Sequence, residues 1–209
     1  MRWFRLVDEA FQDSAFSGEG ARLYGGRWNS PGVAMVYTAQ SLSLAQLELL
    51  VQLEVEDVLR GHWRYFPLEV APEAILACES WAALPPDYAS WPAPASTRAI
   101  GDRWIAESLS VGLSVPSAIT PGERNLLLNT AHPGYAAALA IGDPMGLILD
   151  RRLIKSAARP PESGSGSVRL YPSPADALRR PQPPAIEMRR EGGRRQRLGR
   201  SQPSCSSWT

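Results

Sequence analysis

Cysteine and histidine are scarce in this 209-residue chain, which has only Cys78 and Cys205, His62 and His132. Two cysteines so far apart offer no disulfide framework, which favours a reducing compartment. Four isolated residues give none of the spacings from which a zinc site is built, so no metal is expected. Long hydrophobic runs are missing as well. No segment approaches the ~20 apolar residues of a membrane span. The alternating start Met1-Arg2-Trp3-Phe4-Arg5 lacks the apolar stretch of a signal peptide. The expectation is a cytoplasmic protein with no membrane partner. A net charge of one sign is also absent: 22 basic against 21 acidic residues leave +1. That balance excludes a uniformly basic nucleic-acid binder and an acidic disordered chain. Several catalytic signatures are lacking, among them a Walker-type loop, a Gly-x-Ser-x-Gly elbow and HExxH. Gly18, Gly20, Gly25 and Gly26 cluster, but no hydrophobic strand leads into them and no helix follows at once, so a Rossmann reading fails on context.

What is present is ordinary globular composition, 44% hydrophobic and 21% charged, on a length that suits one good core or two small ones. The near-zero charge hides an asymmetry. Met1 to Ala158 carries a net −5, and Arg159 to Thr209 a net +6. The last 50 residues hold 8 prolines, 5 glycines and 8 serines and few apolar side chains. Such a segment buries too little surface to offset its ordering entropy. The expected organisation is a domain over 1–154 and a Pro/Ser/Arg-rich disordered basic extension over 155–209. The arginines of the extension (Arg189, Arg190, Arg194, Arg195, Arg197, Arg200) offer charge for nucleic acid. They lack interleaved aromatics and a scaffold, so direct nucleic-acid binding is expected nowhere else and a solvated tail is the plainer reading.

Within 1–154 the periodicities are mixed. Trp3–Val7 reads as a strand, followed by a polar, glycine-rich stretch to about Gly32 that fits neither period. Val33–Thr38 reads as a buried strand. Ser41 or Ser43 then caps a helix to about Glu54. At 100° per residue Ser41, Glu48 and Gln52 share a narrow polar stripe, and leucines fill most of the remaining surface, which predicts a mostly buried helix. Arg64–Val70 reads as a strand in which Pro67 marks an edge or a bulge. Leu84–Pro94, with four prolines, is a loop. Thr97–Leu109 is a helix by the spacing of Ile100, Trp104, Ile105 and Leu109. Further strands are expected at Gly112–Val115, Tyr135–Ile141 and Gly146–Leu149. Strands outnumber helices without βαβ alternation, so the fold class is α+β.

The chemically informative residues lie between Tyr24 and Glu48. Gly25-Gly26-Arg27-Trp28-Asn29, then Pro31-Gly32, sets a guanidinium on a bend where bare backbone can approach a ligand. An arginine there suits a phosphate through its planar donor fork. Tyr37 ends the following strand, and Glu48 lies on the polar stripe of the helix. Taken singly, each has a plain structural explanation: a turn arginine, a core aromatic, a solvent-facing carboxylate.

Taken together, Gly-Gly-Arg-Trp-Asn-x-Pro-Gly, the Val-Tyr-Thr strand end and Ser-Leu-Ala-x-x-Glu closely resemble the RES-domain family, toxins of bacterial toxin–antitoxin pairs. Val115-Pro116-Ser117, then Pro121, Glu123, Asn125, Asn129 and His132-Pro133, resemble the family's second block, and Asp150-Arg151-Arg152-Leu153 its closing strand. The likeness spans roughly residues 2 to 154. It departs from the family at Thr130-Ala131, where a proline is usual, and His132 is read as structural. The resemblance implies an ADP-ribosyltransferase-like fold with mixed sheets and flanking helices. It implies no cofactor but a consumed substrate, NAD, cleaved at the nicotinamide–ribose bond by hydrolysis or phosphorolysis. By the same resemblance Arg27, Tyr37, Glu48 and Ser117 are the catalytic set. Arg5, Gly26, Arg27, Tyr37 and Ser117 would contact NAD, with Arg5 and Arg27 at the pyrophosphate. The implied partner is a cognate Xre/ParS-like antitoxin whose C-terminal end plugs the cleft. Two other readings stay open at this point: a protein mono-ADP-ribosyltransferase using NAD, and a non-catalytic module that binds NAD or a partner.

Overall fold

The computed structural model describes residues 1–53, 58 and 60–153. Cys205 and the extension expected over 155–209 lie outside the described residues, as does the boundary expected after residue 154.

Strand β1 (Arg2–Asp8) sets the frame because its side chains alternate in kind. Trp3 and Val7 are buried on one face, and Phe4 and Leu6 pack on the other, as the two-residue period of a strand requires. Along its whole length β1 pairs antiparallel with β3 (Trp63–Val70). It also meets β2 (Val36–Ala39) at Phe4–Ala39. Beyond β2 come β6 (Arg124–Leu128), β5 (Gly112–Pro116) and β4 (Ile75–Ala77). Beyond β3 lie β7 (Leu139–Ile141) and β8 (Met145–Leu147). The sheet order is β4-β5-β6-β2-β1-β3-β7, with β8 also on β3. Among the described residues only β4 and β5 run parallel. The expected α+β class is what the chain adopts.

Apolar alternation splits the core between the two faces. Leu126 and Leu128 join Trp3, Val36, Leu68 and Val70 on one side. Leu127, between them in sequence, joins Trp28, Met35, Trp104, Leu113 and Val115 on the other. That second face also carries Ala39, Leu44 and Ala45, packed with Phe4 and Leu6. Short or medium helices accompany the sheet, among them α1 (Glu19–Tyr24), α2 (Leu42–Leu50), α3 (Cys78–Trp81), α4 (Ala95–Glu107) and α5 (Tyr135–Ala138). Among the described residues no helix is long and apolar enough to cross a membrane.

The structure corrects several expectations. Pro67 is neither on an edge strand nor in a bulge. It sits in the middle of β3, opposite Phe4, where the outer neighbour changes: β7 pairs from Leu68 onward and β8 up to Tyr65. A residue without an N–H is tolerated at that gap. The polar stretch before Gly32 contains α1 and a 3₁₀ turn over Glu9–Ser14. Tyr135–Ala138 is helical, because Ala-Ala-Ala favours a helix turn over a strand, and only Leu139–Ile141 is extended. The second strand begins at Val36, because Pro31-Gly32 forms a turn with Gly32 at φ +101°. The helix starting at Leu42 is less buried than its leucines suggest. Leu44 and Ala45 are buried, while Leu47 is 42% exposed.

Candidate active site

Helix α4 forms the floor of the glycine-rich turn. Thr97, Gly101 and Trp104, spaced i, i+4, i+7, form its buried stripe. The Thr97 hydroxyl donates to the Arg27 carbonyl at 2.7 Å. The Asp102 carboxylate accepts the Ser30 N–H at 2.9 Å. Gly101 faces the Trp28 carbonyl so closely that a Cβ there would collide with the oxygen. Trp28 itself is a core anchor, 2% exposed beside Trp104.

Tyr37 closes the turn from above. Its hydroxyl donates to Asn29 Oδ1 at 2.7 Å and accepts the Trp28 N–H at 3.0 Å. Burial raises the phenol well above its ordinary value, and the bond from the Trp28 N–H only partly opposes that. Asn29 is fully buried, and its amide donates to the carbonyls of Ala21 and Val33, at 2.8 and 2.9 Å. The turn is therefore rigid on every side.

Arg27 projects from this turn. Its Nη1 donates to the carbonyls of Tyr88 at 2.7 Å and Ser90 at 2.9 Å, tethering the proline-rich loop. Among the described residues Nε and Nη2 make no hydrogen bond, so one edge of the fork is held and the other is available. Burial lowers the Arg27 guanidinium from its ordinary value, and the Glu48 and Tyr37 charges pull it back. A guanidinium stays cationic under such a shift.

Glu48 reaches the site from α2. Ser41 caps that helix, its Oγ accepting the Leu44 N–H at 3.0 Å and donating to Glu123 Oε2 at 2.8 Å. The Glu123 carbonyl accepts the Ser117 N–H at 2.9 Å. One residue thus ties the start of α2 to the Ser117 turn. Glu48 Oε1 accepts from Asn125 Nδ2 at 2.7 Å and from Ser117 Oγ at 3.2 Å. No hydrogen bond reaches Oε2 among the described residues. The half-buried carboxylate has one oxygen fixed by the protein and one left over.

Of the expected site residues, Glu48 meets Ser117, and Tyr37 braces the turn that carries Arg27, on the sheet face of Ala39 and Leu127; Ser117 and Tyr37 take roles that the sequence did not specify. Ser117, expected to touch NAD, has its bonding capacity filled. Its hydroxyl donates to Glu48 and accepts from the Ile119 and Thr120 N–H groups, at 3.2 and 3.1 Å. It positions the carboxylate. Gly26, expected as bare backbone for a ligand, is bare for Tyr37 instead: a Cβ would stand 2.5 Å from the phenol oxygen. The Tyr37 hydroxyl is likewise committed, and the residue is half-buried against the core. Arg5 is not brought to this group. Strand alternation sets it on the side of Trp3 and Val7, where its Nε donates to the Ala15 carbonyl at 3.2 Å and its Nη1 to the Tyr37 carbonyl at 3.0 Å. Burial lowers it to about 10, opposed by Tyr135. It staples β1 to β2. His132 accepts the Gly134 N–H at Nδ1 and shapes a turn, the structural part expected of it.

Glu123 and Asn125 belong to the second motif block but carry no role in the sequence reading, and nothing in the sequence singles out Thr97, Gly101 or Asp102 as contributors. A usable signal existed for Asn125, which interrupts the apolar strand Arg-Asn-Leu-Leu-Leu on the same face as Leu127. Among the described residues no three His, Cys, Asp or Glu side chains converge as metal ligands.

Several known proteins are similar to this chain. Toxin Res of Yersinia enterocolitica is 38% identical over 155 residues, covering 73% of this chain and 99% of that protein. The Prs ADP-ribosylating toxin of a Sphingobium species is 34% identical over 160 residues, covering 74% and 98%. The crystal structure of the M. tuberculosis MbcT-MbcA toxin-antitoxin complex contains a chain of similar fold, with a TM-score of 0.56 and 24% identity over 70% of this chain and 83% of that one. The family model for the RES domain matches residues 2–150, and the chain belongs to that family.

Proposed function

We propose that this chain is the toxin of a toxin–antitoxin pair and that its site breaks the nicotinamide–ribose bond of NAD. The observation that carries the reading is the Glu48 carboxylate, with one oxygen held by Asn125 and Ser117 and the other without a hydrogen bond among the described residues. The relatives named Toxin Res support the toxin assignment.

The chemistry suits these groups. When the glycosidic bond of NAD breaks, the bonding pair leaves with the pyridinium nitrogen, neutral nicotinamide departs, and positive charge builds on the ribose. A carboxylate held beside that sugar stabilises an oxocarbenium-like transition state and can accept a ribose hydroxyl. Glu48 Oε2 is the oxygen available for this. The Arg27 edge not tied to the loop matches a pyrophosphate oxygen, and the Tyr37 ring offers a wall for nicotinamide. Water or phosphate then takes the cation at C1′. NAD is consumed, and no separate cofactor enters. The implied partner is an Xre/ParS-like antitoxin, and the substrate places the reaction in the cytoplasm.

A second reading, transfer of ADP-ribose to a protein, is favoured by the relative named as a Prs ADP-ribosylating toxin. The same cation serves both readings, and only the acceptor differs. The deciding experiment follows NAD loss by the purified full-length protein, with and without phosphate, beside Glu48→Gln. NAD loss that depends on Glu48 is expected, and phosphate dependence names the acceptor. Near-normal NAD loss by Glu48→Gln overturns the assignment. Labelled NAD in a bacterial lysate, read by mass spectrometry, detects a protein acceptor.

A further inference from the structure

We propose that Asn125 is a positioning residue that fixes Glu48 through Oε1 and thereby reserves Oε2 for the reacting sugar. The inference rests on the reading of Glu48 given above. Of the two bonds to Oε1, that from Asn125 Nδ2, at 2.7 Å, is the shorter, against 3.2 Å from Ser117 Oγ. Facing a carboxylate, the Asn125 amide must present its NH₂ group, because its oxygen has nothing to donate.

The support behind Asn125 is rigid. It lies opposite Ala39 of β2 and Val115 of β5, in register with both. Its neighbour Leu126 is fully buried. Its other neighbour, Arg124, forks onto the Glu79 carboxylate at 3.0 and 2.7 Å and donates to Ser114 Oγ at 2.7 Å. A side chain on such a strand holds its partner more tightly than one on a loop. Packing alone does not account for an amide here, because the alternation of β6 places position 125 on the face of Leu127. A neutral donor has a further consequence. A lysine or arginine in its place would fix Glu48 but neutralise it, whereas an amide orients the carboxylate and leaves its charge to act on the substrate.

The test uses the full chain with Asn125→Ala and the isosteric Asn125→Asp. With NAD, Asn125→Ala is expected to lower kcat roughly ten- to a hundredfold, the worth of a hydrogen bond to a charged group, with KM little changed. Asn125→Asp sets two carboxylates in contact, so the acidic limb of its rate profile moves to higher pH. A purely structural residue moves no pH profile in an isosteric variant. Independently of turnover, the ¹³C signal of the Glu48 carboxyl shifts in both variants at neutral pH. An unmoved signal overturns the proposal whether or not NAD is consumed. Wild-type kcat and pH profile in both variants, with turnover still lost in Glu48→Gln, overturn it while the reading of Glu48 stands. A moved signal in a chain that leaves NAD intact upholds the Asn125–Glu48 tie and overturns the reaction assigned to it.

Discussion

The Tyr37 hydroxyl fills the space that a side chain on Gly26 would need, its oxygen 2.5 Å from where the Cβ would stand. That oxygen also serves Trp28 and Asn29, so the conformation of the Arg27 turn depends on a phenol. Tyr37→Phe leaves a buried N–H and a buried carbonyl oxygen unpaired and should cost about 1–3 kcal/mol. The pH dependence follows from the raised phenol. A group whose folded value lies above its unfolded value of about 10 contributes stability that is complete below pH 10 and lost as pH rises through the folded value. Wild type should lose stability in the alkaline range, and Tyr37→Phe should lose less there. Urea midpoints from pH 8 to 11 check both.

Gly101→Ala tests the floor of the turn. In an exposed helix this change stabilises by about 1 kcal/mol. Here the added methyl meets the Trp28 carbonyl, and a loss of about 1–3 kcal/mol is expected instead. Calorimetry should show a Tm lowered by about 2–4 °C for each kcal/mol. An unchanged or raised Tm would show that the turn yields.

Ser117→Ala separates positioning from substrate contact. Asn125 still holds Glu48 in this variant, so kcat for NAD loss should fall about tenfold, in line with one lost bond to a charged acceptor, at constant KM. A rise in KM at constant kcat would instead place the hydroxyl on the substrate.

Arg27→Ala removes both the loop tether and the charge. Calorimetric titration of NAD into a Glu48→Gln background should show binding weakened roughly ten- to a hundredfold, the worth of charge-assisted bonds to phosphate. Limited proteolysis should find new cleavage near Tyr88–Ser90, whose carbonyls lose their donor. Binding equal to that of the parent would remove Arg27 from the substrate.

The α+β class was legible in the sequence, because alternation in β1 and β3 and helical spacing in α4 are local signals, whereas Arg27, Tyr37, Glu48 and Ser117 are linked only by the resemblance of their ordered motifs to a family. What was not legible depends on which strands become neighbours. Strand alternation turns Arg5 to the side of Trp3 and Val7, but only the packing of β1 against β2 supplies the Tyr37 carbonyl that it meets there. Gly26 advertises an open backbone without saying what fills the opening. Pro67 is compatible with the interior of the sheet only because β7 and β8 leave a gap beside it. Ser117 is an ordinary turn serine until Glu48, 69 positions away, arrives at its hydroxyl.

Strand β6 lies between β2 and β5 and carries Asn125. A ribosome therefore releases Glu48 some 77 residues ahead of the amide that orients it. Until β6 has emerged and inserted, β4 and β5 have no connection to β1–β3 within the sheet, and Glu48 lacks the shorter of its two bonds. The surroundings of Glu48 are thus completed late, when the domain is nearly whole.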